Sequence, residues 1–180
     1  MLDRVPQIID YVRFTDSGKT ILAHLPVKFC HRLTDVISSS NENLNAIKLA
    51  LELNFGKDDL GNRYMQGTIQ TGFRLQCQRC LEGMDFPVDI TVSTAFVKNE
   101  QQEEKIAGLY EAYYVDMENE SIDLYAYIED EILLALPLIA RHDDDCGIAY
   151  EKHSVTHQYD KTDEAGLTNP FAVLQNLKKH

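Results

Sequence analysis

Four residues have types and spacings suited to chemistry in this chain. They are Cys77 and Cys80, in Cys77-Gln78-Arg79-Cys80, and His142 and Cys146, in His142-Asp143-Asp144-Asp145-Cys146. Thiolates and imidazoles bind zinc, and a structural zinc takes four such ligands in a tetrahedron. The set Cys77, Cys80, His142 and Cys146 supplies four if the two stretches meet in space. The plainer reading, and the one the residues favour, is a turn whose cysteines are reduced and unliganded. A fourth cysteine ligand is missing, and the Asp143–Asp145 spacer is strongly hydrophilic. A redox role ranks lower, because no helix start follows Cys80 to depress a thiol pKa. Four cysteines in a chain of 180 residues do not suggest a disulfide framework.

No enzyme signature accompanies them. The sequence has no glycine-rich phosphate loop, no His-Glu-x-x-His and no nucleophile elbow. The acids Glu129, Asp130 and Glu131 could serve acid–base chemistry, but a solvated helix face explains them more simply. The histidines are scattered, and His31 beside Arg32 reads as a helix surface.

The elements that must position the cysteines are two strands. Met65, Ile69, Phe73, Leu75 and Cys77 alternate with Tyr64, Gln66, Gln70, Arg74 and Gln76, and Phe86, Val88, Ile90, Val92 and Phe96 alternate in the same way. Period-two alternation marks half-buried antiparallel strands, so the cysteine pair is expected at the tip of a hairpin. A third strand over 44–55 is expected to complete an antiparallel meander with 63–77 and 85–98, through the turn-rich loop 56–62.

Elsewhere, Asp10 opens a short helical turn and Asp16-Ser17-Gly18 is a turn. The spacing of Leu25, Phe29, Leu33, Val36 and Ile37 predicts a helix over 26–37 with Pro26 in its first turn. Residues 99–105 read as a surface loop and 111–117 as a strand. Residues 121–136 are the clearest helix, capped by Ser121 or Asp123 and stopped by Pro137. The fold class is α+β: an antiparallel meander with a long helix packed on it. Residues 1–148 form the single domain. Residues 149–168 read as a flexible linker, and 169–180 as a short helix with Phe171, Leu174 and Leu177 on one face, a docking element.

Charge limits the partners. Residues 1–90 carry 11 acidic and 10 basic side chains, whereas 91–180 carry 18 acidic and 7 basic. An acidic half repels phosphate backbones, so RNA must be met by a local patch in the first half or through a protein partner. Arg74, Arg79, and around them Arg63 and Lys48, are the best local basic group. With Tyr64, Gln66, Gln70 and Gln76 they could meet RNA, although a plain wet sheet face is the favoured account. No run approaches a membrane span and no signal peptide opens the chain, so a cytosolic location is expected.

Three stretches in this order carry a resemblance. They are Leu75-Gln76-Cys77-Gln78-Arg79-Cys80, then Ile122-Asp123-Leu124 leading to Glu129-Asp130-Glu131-Ile132-Leu133-Leu134-Ala135-Leu136-Pro137, and Asn169-Pro170-Phe171-Ala172-Val173-Leu174. From about residue 70 to the end the chain resembles the YceD family, the large ribosomal RNA subunit accumulation proteins. The resemblance implies a bacterial cytoplasmic protein in synthesis, processing or stability of 23S ribosomal RNA, with no enzymatic activity. Its partner would be the large-subunit RNA or pre-ribosomal particle, met directly or through a basic ribosomal protein or processing factor. Many relatives carry a second cysteine pair after the helix-ending proline, where this chain has His142 and Cys146. No cofactor is expected other than a structural zinc at that set.

Overall fold

The computed structural model describes residues 4–41, 43–106, 108–116, 119–143 and 146. In chain order the elements are β1 (Ile8–Asp10), α1 (Tyr11–Asp16), β2 (Thr20–Pro26), α2 (His31–Ile37), β3 (Lys48–Lys57), β4 (Arg63–Gln76) and β5 (Gly83–Val97). They continue with α3 (Glu100–Ile106), β6 (Glu111–Tyr114), β7 (Ser121–Asp123) and α4 (Leu124–Ala135). The expected linker over 149–168 and the helix over 169–180, with Phe171, Leu174 and Leu177, lie outside the described residues.

The expected α+β class is found, and so is the meander. One sheet runs in the order β2-β3-β4-β5-β6, and β1 pairs with β7 in a separate two-stranded ribbon. Pairing of β3 with β4 and of β4 with β5 is antiparallel, with Leu51 opposite Ile69 and Ile69 opposite Ile90. The alternation read from the sequence sets the two faces. Leu49, Leu51, Leu53, Phe55, Met65, Ile69, Phe73, Val88 and Val92 are buried under the helices, while Glu52, Asn54, Gln66, Gln70, Arg74, Asp85 and Asp89 are exposed. Each fully buried aliphatic side chain contributes about 1.5–3 kcal/mol, and Leu33, Ile37, Leu124, Ile128 and Ile132 of α2 and α4 have no exposed surface at all.

Three expectations need correction. Pro26 does not begin a helix; it ends β2, whose Ile21 and Leu25 face the core and whose residues pair antiparallel with β3. The spacing of Leu25 and Phe29 straddles a strand end and a single 3-10 turn at Val27–Phe29, so a helical period emerged from two different elements. Residues 100–106 form α3, not a loop, with Ile106 buried against Ala95 and Val97. That helix is the crossover that lets β6 pair parallel with β5, as parallel neighbours require. Finally, Ser121–Asp123 is β7 rather than the first turn of the long helix. It pairs with β1, and the Asp123 side chain caps α4 by accepting from the Ala126 N–H at 3.0 Å.

Candidate metal centre

The cysteine turn occupies the junction of β4 and β5, as expected. The backbone closes it: the N–H of Cys77 donates to Glu82 O at 2.8 Å, and that of Leu81 to Cys77 O at 2.9 Å. Leu81 takes a left-handed φ of 63°, a conformation rare for residues other than glycine. The tight turn also points the Arg79 N–H at Cys77 Sγ, at 3.4 Å.

His142 and Cys146 reach the tip because α4 is fixed along its length and ends beside it. Its Asp123 cap anchors one end. Thr94 Oγ1 and Tyr127 OH share a buried hydrogen bond of 2.7 Å between β5 and α4. Glu129 is buried rather than solvated. It accepts from the Leu33 N–H and from Arg32 Nε, each at 3.0 Å, and so closes the start of α2. Arg32 pairs also with exposed Asp130, at 2.7 Å. The acid triplet is thus divided: Glu129 ties α4 to α2, Asp130 supports the tie, and Glu131 is half-buried, its carboxyl pKa raised first by burial. A buried carboxylate explains itself only with such donors in place. After Leu136 the chain turns along the tip, where Ala140 O accepts from the Gln78 N–H at 2.8 Å.

The result is a cluster. One donor atom from each of Cys77, Cys80, His142 and Cys146 lies within 4.8 Å of the others. Cys77 Sγ is 3.6 Å from Cys146 Sγ, and Cys80 Sγ is 3.5 Å from His142 Nδ1. A tetrahedron with Zn–S near 2.3 Å and Zn–N near 2.0–2.1 Å has edges of about 3.8 Å between sulfurs and about 3.6 Å between sulfur and nitrogen. The donor set fits zinc in type, number and separation. Burial supports it as well: Cys77 is fully buried and its three companions are half-buried. All four cysteines are free thiols.

Electrostatics differ from sulfur to sulfur. N–H groups of Cys80, then of Arg79 and His142, bring the Cys77 thiol pKa down to about 5 against the opposing effect of burial. Burial, then the neighbouring sulfurs Cys77 and Cys80, push Cys146 up. The fourth cysteine, Cys30, lies apart in the core beside α2, where burial pushes its pKa up to about 12. No helix follows Cys80, since β5 begins at Gly83.

The basic residues singled out from the sequence are not gathered into one patch. Arg74, Gln76 and Arg79 stand near the cysteine-turn end of β4. Tyr64 lies ten residues up the same strand, about 33 Å away at strand rise, with its ring stacked on Tyr110 at 5.6 Å. Arg63 is also at that far end and is engaged by Asp16, Thr15 and Val12. The open sheet face interleaves His24, Lys48 and Arg74 with Glu52, Asp85 and Asp89, so an aromatic stacking platform of the expected kind is not assembled there. Sequence reasoning passed over Asn41. Its side chain accepts from the Arg74 N–H at 3.0 Å and donates to Arg74 O at 2.8 Å.

No helix among the described residues is long and apolar enough to cross a membrane. No solved structure matches the chain. A Haemophilus influenzae protein named Large ribosomal RNA subunit accumulation protein YceD is 33% identical over 116 residues, 64% of this chain. The chain thus spans just under two thirds of that relative, 65% of its length. The family described as Large ribosomal RNA subunit accumulation protein YceD matches residues 65–178, which contain the hairpin tip, α4, His142 and Cys146. On that match the chain belongs to the YceD family.

Proposed function

We propose that this protein is a non-enzymatic, cytoplasmic ribosome-biogenesis factor that supports accumulation of 23S ribosomal RNA, with a structural zinc bound by Cys77, Cys80, His142 and Cys146. The observation that carries the reading is the convergence of four zinc-type donors from two stretches of the family-matched region. In this account the metal does no chemistry on a substrate. Four protein ligands fill a tetrahedral site, which leaves no open position for a reacting water. Zinc instead locks the β4–β5 tip to the segment after α4 and makes the pair one rigid surface.

That surface suits a macromolecular partner. Leu134, Leu138 and Ile139, at the end of α4 and just beyond it, are exposed, as is Leu81 on the tip. Large exposed apolar side chains in one region mark protein contacts, and the acidic character of residues 91–180 favours a basic partner such as a ribosomal protein. The docking role of Phe171, Leu174 and Leu177 belongs to the same proposal.

The test is complementation in a bacterial strain lacking its own copy. The wild-type chain is expected to restore the ratio of 23S to 16S ribosomal RNA, and the double variant Cys77→Ser, Cys80→Ser to fail while still accumulating as protein. Full restoration by the double variant would refute the metal-organised reading.

A further inference from the structure

Beside the cysteine turn lies a pocket of about 620 Å³ formed by Ser38, Ser39, Ser40, Asn41 and Asn43 on one side and Arg74 on the other. Its lining is mostly polar, with Ile47 the one apolar side chain, and includes a single cation. Arg74 makes no ion pair and no side-chain hydrogen bond among the described residues, although its cross-strand partner by register is Asp85. The hydroxyls of Ser39 and Ser40 are also without a hydrogen bond among the described residues, whereas Ser38 donates to Asp35 O at 3.2 Å.

Two neighbours shape the position of Arg74. Asn41 clasps its backbone with both an acceptor and a donor, and so joins the serine turn to β4. Gly83, opposite Gln76 in the register, leaves room for the Arg74 side chain. A Cβ there would stand 2.4 Å from Arg74 Nε and 3.1 Å from its Cζ and Nη2, so the arginine side chain passes close over bare backbone. An exposed arginine laid against a glycine, with its backbone held by a side chain from another element, is preorganised. A guanidinium in that state presents a planar fork of donors that matches two oxygens of one phosphate, and free hydroxyls supply further donors.

We propose that Arg74, Ser39 and Ser40 form a phosphate-binding subsite held in place by Asn41 and Gly83. The subsite lies on the metal-tip end of the sheet, so a phosphodiester of RNA is the source consistent with the proposed function; the inference rests on that reading for the source only. The site is compatible with the acidic protein because the repulsion is offset locally, at one fixed cation, and not by a broad basic field.

The full-length, zinc-loaded chain is titrated with a short single-stranded RNA and, separately, with inorganic phosphate. The Arg74 Nε–Hε resonance is followed by NMR and affinity by fluorescence anisotropy. RNA is expected to shift the resonance. Arg74→Gln is expected to weaken RNA binding about tenfold and to lower the salt slope by about 0.7, the share of one single-strand phosphate contact. Gly83→Ala keeps the charge but displaces the guanidinium, and is expected to weaken binding as well; a diffuse charge effect would leave it unchanged. A shift with RNA alone assigns a backbone phosphodiester, and a shift with inorganic phosphate too assigns a free or terminal phosphate. An unmoved Arg74 resonance with both probes, or equal affinity in all three proteins, overturns the subsite. If the subsite fails while the chain still restores 23S ribosomal RNA, the proposed function stands without it; if Arg74 responds while restoration fails, the reverse holds.

Discussion

The two ends of β4 are closed by turns of opposite kinds. At its start, the loop from β3 is satisfied from within. Asp58 Oδ1 accepts from the N–H groups of Leu60 and Asn62 at 3.0 and 2.8 Å, and Asp58 Oδ2 accepts from Asn62 Nδ2 at 2.8 Å. Asp16 adds ion pairs to Lys57 and Arg63 at the same end. At the other end, the turn of Cys77 and Cys80 has its backbone closed, yet its sulfurs face His142 and Cys146 with only weak S···S and S···N contacts among them. One turn needs nothing more to be stable. The other presents four zinc-type donors that, on the proposed reading, a cation completes. A turn that is complete by itself is scaffold, and a turn completed by something else is where function is expected.

The largest effect that separates the two ends is ligand loss. Cys77→Ser is expected to weaken zinc binding by more than the about 10–100-fold that a lost outer-shell partner causes. Amide exchange should quicken at 77–82 and 138–143 and stay unchanged at 57–63. Equal protection at both ends in the variant and wild type would remove the distinction.

Next in size is the tie that delivers α4 to the tip. Glu129→Ala leaves the buried Leu33 N–H without its acceptor and leaves half-exposed Arg32 with Asp130 alone, and an unsatisfied buried donor costs about 1–3 kcal/mol. Denaturant unfolding should show that loss, together with weaker zinc retention. A stability loss below about 0.5 kcal/mol, the range of neutral surface changes, would mean that the carboxylate is a solvated one after all.

The Asp58 loop should respond more modestly. Asp58→Ala removes three accepted hydrogen bonds at a half-exposed site, which costs about 1–2 kcal/mol with zinc content untouched. Zinc loss in this variant would show that the ends are coupled.

The smallest and most specific contrast is in pH. Hydrogen bonds from Arg63 and Lys57 hold the Asp16 carboxyl at about 2. A depressed folded-state pKa gives stability that is present above the ordinary carboxylate range and is lost as pH falls through about 2. The Cys77 thiol is held down at about 5 while that of Cys146 is pushed up, and because ligand thiols bind metal deprotonated, protons compete with metal as the pH falls. Acidification should therefore release zinc first and loosen the Asp16 end only near pH 2. Asp16→Asn should remove the second event, read by thermal unfolding against pH, and leave the first.

The sequence made the alternating strands legible because one face of each is buried and the other wet, a pattern that needs no knowledge of neighbours. It also placed Cys77 and Cys80 at a turn. It misread Pro26 and residues 100–106 because a strand end followed by a 3-10 turn mimics helical spacing, and because α3 is polar except at Ile106. Glu129 was illegible for another reason: its partners, Arg32 and Leu33, are distant in sequence, and only packing of α4 on α2 makes that carboxylate an interior one. Asn41 and Gly83 escaped notice likewise, since each acts through Arg74. The four donors were readable by residue type, while their convergence depends on α4 running from the β1–β7 ribbon to the tip.

The most direct test of the central claim is the metal content of protein purified without chelator or affinity tag, by elemental mass spectrometry with a parallel thiol count. The account predicts about one zinc per chain, as a four-ligand site requires, lost on Cys77→Ser. Metal-free protein with every cysteine titrating as an ordinary free thiol would contradict it.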